Sequence, residues 1–124
     1  MNLVDSSGWL EFFTDGPLAG KYFNYIEKLD MVVVPALIIY EVYKKIKKER
    51  DEESALLAVG HMARAKVVPL DESLAMSSAD ISLKHNLSMA DAIIYATALR
   101  ENAKLITSDK HFLGLANVVL LKKL

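Results

Sequence analysis

Four acids fall at positions suited to holding a hard cation, Asp5, Glu41, Asp91 and Asp109. Asp5 closes the short run Asn2-Leu3-Val4. Glu41 interrupts the apolar stretch from Ala36 to Val42, where a buried, unpaired carboxylate would be costly. Asp91 lies three residues after Ser88, and Asp109 two after Thr107. Carboxylates brought together raise one another's pKa and repel, so such a cluster needs a counter-charge. Mg²⁺ or Mn²⁺ supplies it and prefers oxygen ligands. An ion so held can bind a phosphate oxygen, acidify an attacking water and stabilise a leaving oxygen. Cysteine is absent, and His61, His85 and His111 are scattered, so hard oxygen ligation is the metal chemistry this chain supports.

Each acid also has an ordinary role open to it. Asp91 fits the acidic half of a capping box, Ser88-Met89-Ala90-Asp91. Asp109 can start a short helix, and Asp5 can cap the helix that follows it. Asp71 follows a strand without any further motif and is assigned to capping. His85 and His111 read as polar surface residues.

The elements that must position these acids alternate in type. Leu3 and Val4 suit a buried first strand, and Ser6 or Ser7 can cap a helix bearing Trp9, Leu10, Phe12 and Phe13. Asp15-Gly16-Pro17 breaks that helix, and near-helical apolar spacing resumes from Leu18 to Leu29. Met31-Val32-Val33-Val34, closed by Pro35, has the pattern of a strand buried on both faces. Helices are expected over 36–50, 54–65, 71–84 and 88–102, with strands at 66–70, 104–107 and 118–120 and a helical turn at 109–113. Strands separated by helices imply crossover connections and a parallel sheet of about five short strands. In such a sheet ligands gather beyond the carboxyl ends of the strands, where the strand order reverses. All four acids can reach that edge.

Composition bounds the rest. The 124 residues, 52% hydrophobic and 25% charged, fit one α/β domain spanning 1–124 with a real core. Absent cysteine agrees with a reducing cytoplasm. No apolar run is long enough to span a bilayer, and no signal peptide precedes Asp5. The formal net charge of −1 carries no overall signature of nucleic-acid binding, so any RNA must be drawn by a local basic patch or a metal. The charged run from Lys44 to Glu53 reads as a solvated helix end.

Read together, the motifs resemble the PIN domains, and within them the VapC-type toxins of toxin–antitoxin pairs. The resemblance rests on the strand into Asp5-Ser6-Ser7, on Glu41 within Val34-Pro35-Ala36-Leu37-Ile38-Ile39-Tyr40-Glu41-Val42, on Asp91-Ala92 opening an alanine-rich helix, and on Thr107-Ser108-Asp109-Lys110-His111-Phe112. It covers essentially the whole chain. It implies a divalent-metal endoribonuclease using Mg²⁺ or Mn²⁺, with Asp5, Glu41 and Asp91 as core acids and Asp109 completing the site or acting through water. Ser7 is expected to orient Asp5, and Thr107 to orient Asp109. It further implies a small antitoxin partner, a homodimer and an RNA gripped as single strand or loop. Lys84, Lys104 and Lys110 are candidate phosphate partners, with solvated lysine as the alternative. Tyr22, Tyr25, Tyr43, Leu56 and Leu57 suit a dimer or antitoxin groove, but most are expected in the core.

Rival acid-bearing folds fit less well. A receiver module needs an acidic pair after its first strand, and a haloacid-dehalogenase-like phosphatase needs Asp-x-Asp there. Asp5-Ser6-Ser7 supplies neither. Two alternatives stay open, a non-catalytic PIN-like interaction module and a nuclease of RNA processing with no toxin role.

Overall fold

Val32, Val33 and Val34 carry no exposed surface, and the strand they form, β2 (Val32–Pro35), lies inside the sheet. The computed structural model describes residues 1–122. Five parallel strands run in the order β3-β2-β1-β4-β5, with β1 (Asn2–Val4), β3 (Lys66–Val68), β4 (Lys104–Thr107) and β5 (Val118–Leu120) completing the sheet. The chain moves outward from β1 through β2 to β3, then returns to place β4 on the other side of β1. The order therefore reverses between β1 and β4, and a crevice opens at their carboxyl ends. Residues at that edge are Asp5, one position past β1, and Ser108 and Asp109, just past β4.

Among the described residues six helices flank the sheet, α1 (Ser6–Phe13), α2 (Ala19–Ile26), α3 (Ala36–Glu49), α4 (Glu52–Met62), α5 (Glu72–His85) and α6 (Met89–Arg100). Short 3₁₀ turns occupy Leu29–Met31 and Lys110–Phe112. Helix α6 is buried without interruption from Ala92 to Ala98. A helix apolar all round belongs inside a core. Thr97 fits there because its hydroxyl donates to Ile93 O at 2.7 Å. Ser78 on α5 does the same to Leu74 O, so neither buried hydroxyl is left unpaired.

Boundaries moved where a cap outweighed the apolar period. Asp5, rather than Ser6 or Ser7, is the N-cap of α1. Asp51 Oδ1 accepts the Ser54 N–H at 2.7 Å, so α4 starts at Glu52 instead of Ser54. The helix expected through Leu29 stops at Ile26, and β3 ends at Val68 rather than Leu70. Leu56 and Leu57 face outward at 55% and 71% exposure, whereas Tyr22 is wholly buried and Tyr25 and Tyr43 pack against the core. Among the described residues no helix is long and apolar enough to cross a membrane.

Candidate active site

Asp5, Glu41, Asp91 and Asp109 line one cleft of about 300 Å³, together with Ser6, Ser7, Ile94 and Ser108. Four separate elements deliver them. Asp5 hangs from the end of β1, Glu41 sits on the second turn of α3, Asp91 on the first turn of α6, and Asp109 in the loop after β4.

Asp5 is the most constrained. It is 6% exposed, Oδ1 accepts the Ser6 N–H at 2.7 Å, and Oδ2 accepts the Thr107 hydroxyl at 2.8 Å. Capping and site membership are thus one placement. Thr107, itself fully buried, also accepts the Asp109 N–H at 3.0 Å, so a single hydroxyl couples the loops after β1 and β4. Ser7 lines the cleft, but the bonds that hold Asp5 come from Ser6 and Thr107. Thr107, expected to orient Asp109, meets that residue's backbone N–H rather than its carboxylate, and its own hydroxyl proton goes to Asp5.

Only the Ser88 half of the expected capping box forms. Its hydroxyl accepts the Asp91 N–H at 3.4 Å, while Asp91 Oδ2 turns to His111 Nδ1 at 3.2 Å. Asp109 caps the 3₁₀ turn by accepting the His111 N–H at 2.9 Å, and the same Oδ1 lies 3.2 Å from His111 Nδ1. Asp71 is the N-cap of α5, as its place after a strand suggests. It accepts the Leu74 N–H at 2.8 Å and pairs with Arg100 on the surface.

The crowding shows in proton affinity. Burial pushes the Asp5 carboxyl above its ordinary range, and the charges of Asp91 and Asp109 add to this, against the pull of Thr107 and Ser6. Glu41 is raised too, first by burial and then by the charge of Asp5, with a smaller opposing pull from Ser6. Its Oε1 is buried without a hydrogen-bond partner among the described residues. A carboxylate so placed weakens the fold unless something positive meets it.

A stability prediction follows from the signs. Raised folded pKa values mean that Asp5 and Glu41 stabilise when protonated, fully so below their unfolded values near pH 4. That contribution is lost as pH rises through the folded values. In EDTA at pH 7.5, Glu41→Gln should therefore be more stable than wild type by on the order of 1 kcal/mol, allowing for partial solvent access. That corresponds to roughly 3–5 °C in Tm for a domain of this size. The gap should close near pH 4. Thermal denaturation of both proteins across pH measures it, and a Tm gap independent of pH would refute the assignment.

Three features escaped the sequence reading. The Tyr22 hydroxyl, beneath the cleft, is hydrogen-bonded to Ser108 across the whole sequence between α2 and β4. Its ring is close because Gly8 has no side chain, since a Cβ there would lie 2.4 Å from Tyr22 Cε1. His111 is a surface residue, as expected, yet its ring reaches two of the acids. Lys104, offered as a phosphate partner, opens β4 at the opposite, amino edge of the sheet beside Met1 and Asn2, away from the acids. Lys84 and Lys110 are exposed.

Solved structures with the same fold include a toxin–antitoxin complex from Klebsiella pneumoniae, at 22% identity over all of both chains with a TM-score of 0.86. A second is VapC20 of Mycobacterium tuberculosis, described as a sarcin–ricin loop cleaving toxin. It is 15% identical over 95% of this chain and 97% of that one, with a TM-score of 0.77. A third is DNA-bound VapBC from Salmonella typhimurium, 15% identical over 98% of each chain with a TM-score of 0.75. At these identities the likeness is one of fold. No curated protein matches the chain significantly. The family model for the PIN domain matches residues 3–118, from the first strand to the start of the last, and the chain therefore belongs to the PIN domain family.

Proposed function

We propose that this protein is a divalent-metal-dependent endoribonuclease and the toxin of a toxin–antitoxin pair. The observation that carries the reading is the convergence of Asp5, Glu41, Asp91 and Asp109 in one cleft at the strand-order reversal. The donor set fits a hard divalent ion, being carboxylate oxygens with one, Glu41 Oε1, left without a partner among the described residues. Asp5, Glu41, Asp91 and Asp109 are the residues that would hold Mg²⁺ or Mn²⁺. Bound there, the ion supplies Lewis acidity toward a phosphodiester and a more acidic water for in-line attack.

The chain's own groups do the remainder. Thr107 fixes Asp5 and the Asp109 backbone in one geometry, which removes reorganisation from the reaction. Glu41, whose Oε1 has no hydrogen-bond partner among the described residues, is the carboxylate with an oxygen free to take a proton from the attacking water. Two grooves adjoin the cleft, each containing Ser108. One is lined by Ser7, Leu10 and Lys45, the other by Lys110 and Leu120 to Lys122. The first groove also holds Glu11 and Glu49, and Glu49 pairs with Lys45 at 2.9 Å, so the local positive charge that a net charge of −1 does not supply comes from Lys110 and Lys122 in the second.

The toxin assignment draws on the solved toxin–antitoxin complexes that share the fold. It carries with it a small antitoxin partner, a homodimer and a cytoplasmic setting. Outward apolar residues on α3 and α4 (Tyr40, Leu56, Leu57) offer surface for such contacts. The test is incubation of folded, antitoxin-free protein with total RNA in Mn²⁺ or Mg²⁺. Cleavage that EDTA stops is expected. No cleavage of tRNA, rRNA or mRNA would favour a non-catalytic interaction module instead.

A further inference from the structure

We infer that His111 is a nitrogen ligand of the metal centre and biases it toward Mn²⁺ over Mg²⁺. The inference rests on the reading above and deepens it. Its basis is a triangle of donor atoms. His111 Nδ1 lies 3.2 Å from Asp91 Oδ2 and 3.2 Å from Asp109 Oδ1. The three residues offer ligand atoms that all fall within 4.8 Å of one another. In an octahedron with bonds of about 2.1 Å, neighbouring ligand atoms sit about 3.0 Å apart and opposite ones about 4.2 Å. In the metal-free protein the Asp91 contact is a hydrogen bond, and the same spacing lets Nδ1, once it carries no proton, take a place beside both carboxylates on an ion.

Local backbone geometry puts the ring there. Asp109 Oδ1 accepts the His111 backbone N–H at 2.9 Å, which curls Asp109-Lys110-His111 into the 3₁₀ turn and folds the imidazole back toward the acids. Phe112, wholly buried, anchors the turn from below. The ring itself stays 74% exposed and lies at the rim beside Asp91 and Asp109 rather than in the lining of the cleft, so its position owes nothing to core packing. Asp91 also forgoes the second half of its capping box to face this nitrogen.

Imidazole changes selectivity in a predictable direction. Mg²⁺ favours oxygen and gains little from nitrogen, whereas Mn²⁺, though the weakest nitrogen binder of the first-row series, still gains more from imidazole than Mg²⁺ does. A purely carboxylate site would treat Mn²⁺ and Mg²⁺ more alike.

The test is titration calorimetry of metal-stripped wild type and His111→Ala with Mn²⁺ and with Mg²⁺, paired with pulsed EPR of the Mn²⁺ forms. The substitution keeps the backbone N–H that Asp109 uses and alters an exposed side chain, and circular dichroism confirms the fold. The expected result is a Mn²⁺ affinity at least tenfold weaker, a Mg²⁺ affinity changed less than threefold, and a ¹⁴N coupling present in wild type and absent in the variant. Unchanged or tighter Mn²⁺ binding, or no ¹⁴N coupling in wild type, would overturn the ligand role while leaving the acidic centre intact. Tighter binding would show that the ring competes with the ion as a hydrogen-bonding clamp. If wild type binds neither ion, the inference and the metal-centre reading fall together.

Discussion

Asp91→Asn is expected to reduce metal-dependent RNA cleavage by ~10³-fold or more, a loss of about 4 kcal/mol of transition-state stabilisation. The substitution removes one negative charge and one anionic oxygen from the cleft while changing little else. Ser88 caps α6 through the Asp91 backbone N–H, which asparagine retains. Burial is the main cause of the raised proton affinity of Asp5 and Glu41 and the Asp91 charge adds a smaller part, so both stay raised in the variant but less so. The metal-free variant should consequently be at least as stable as wild type. Steady-state cleavage and thermal denaturation with and without Mn²⁺ are measured on the same preparations. Lost activity with an undiminished Tm in EDTA, and a smaller rise in Tm on adding Mn²⁺, is the expected combination. Activity within threefold of wild type would remove Asp91 from the site.

Thr107→Val should lower kcat by about 10–100-fold, the range for groups that orient metal ligands. Valine keeps the shape and removes the hydroxyl that donates to Asp5 Oδ2 and accepts from Asp109 N. Two polar groups then lose their partner in a buried setting, at a stability cost of roughly 1–3 kcal/mol. Activity is therefore compared below the variant's unfolding range. Thr107→Ser restores the hydroxyl and should recover kcat to within a few-fold. A merely structural threonine gives the opposite pattern, with Val and Ser losing stability but each retaining kcat when folded. Weakened Mn²⁺ binding in Val but not Ser separates ligand orientation from a packing defect.

Glu41 and Asp5 were legible because each broke a local rule, whereas Asp91 and Asp109, with capping roles open to them, stood out only through the resemblance to PIN domains. Glu41 stands in an apolar helix stretch, and Asp5 ends a strand with no room for a solvated charge, so both announced a purpose beyond solubility. Parallel topology followed from alternating apolar runs and helices, and with it the edge at which the acids meet. Leu56 and Leu57 are the two of their set that lie outside the core, because helical period marks apolar positions without saying what covers them. On α4 the core takes Ala55, Ala58 and Met62 and leaves the two leucines outside. The Tyr22–Ser108 bond joins elements far apart in sequence, and no local pattern encodes it. His111 was harder still. Its place depends on the curl of a three-residue turn and on Asp91 turning away from Ser88, both set by tertiary geometry.

Product-end chemistry tests the central claim most directly. RNA cleaved by the wild-type protein in Mn²⁺ would be analysed by mass spectrometry of its termini, with EDTA and Asp5→Asn controls. Attack by water leaves a phosphate monoester and a free hydroxyl at each cut, with no cyclic phosphate, and EDTA and the Asp5 substitution both prevent it. Cuts ending in 2′,3′-cyclic phosphate and persisting in EDTA would mean that the RNA's own 2′-hydroxyl is the nucleophile, and would contradict the metal-centred account.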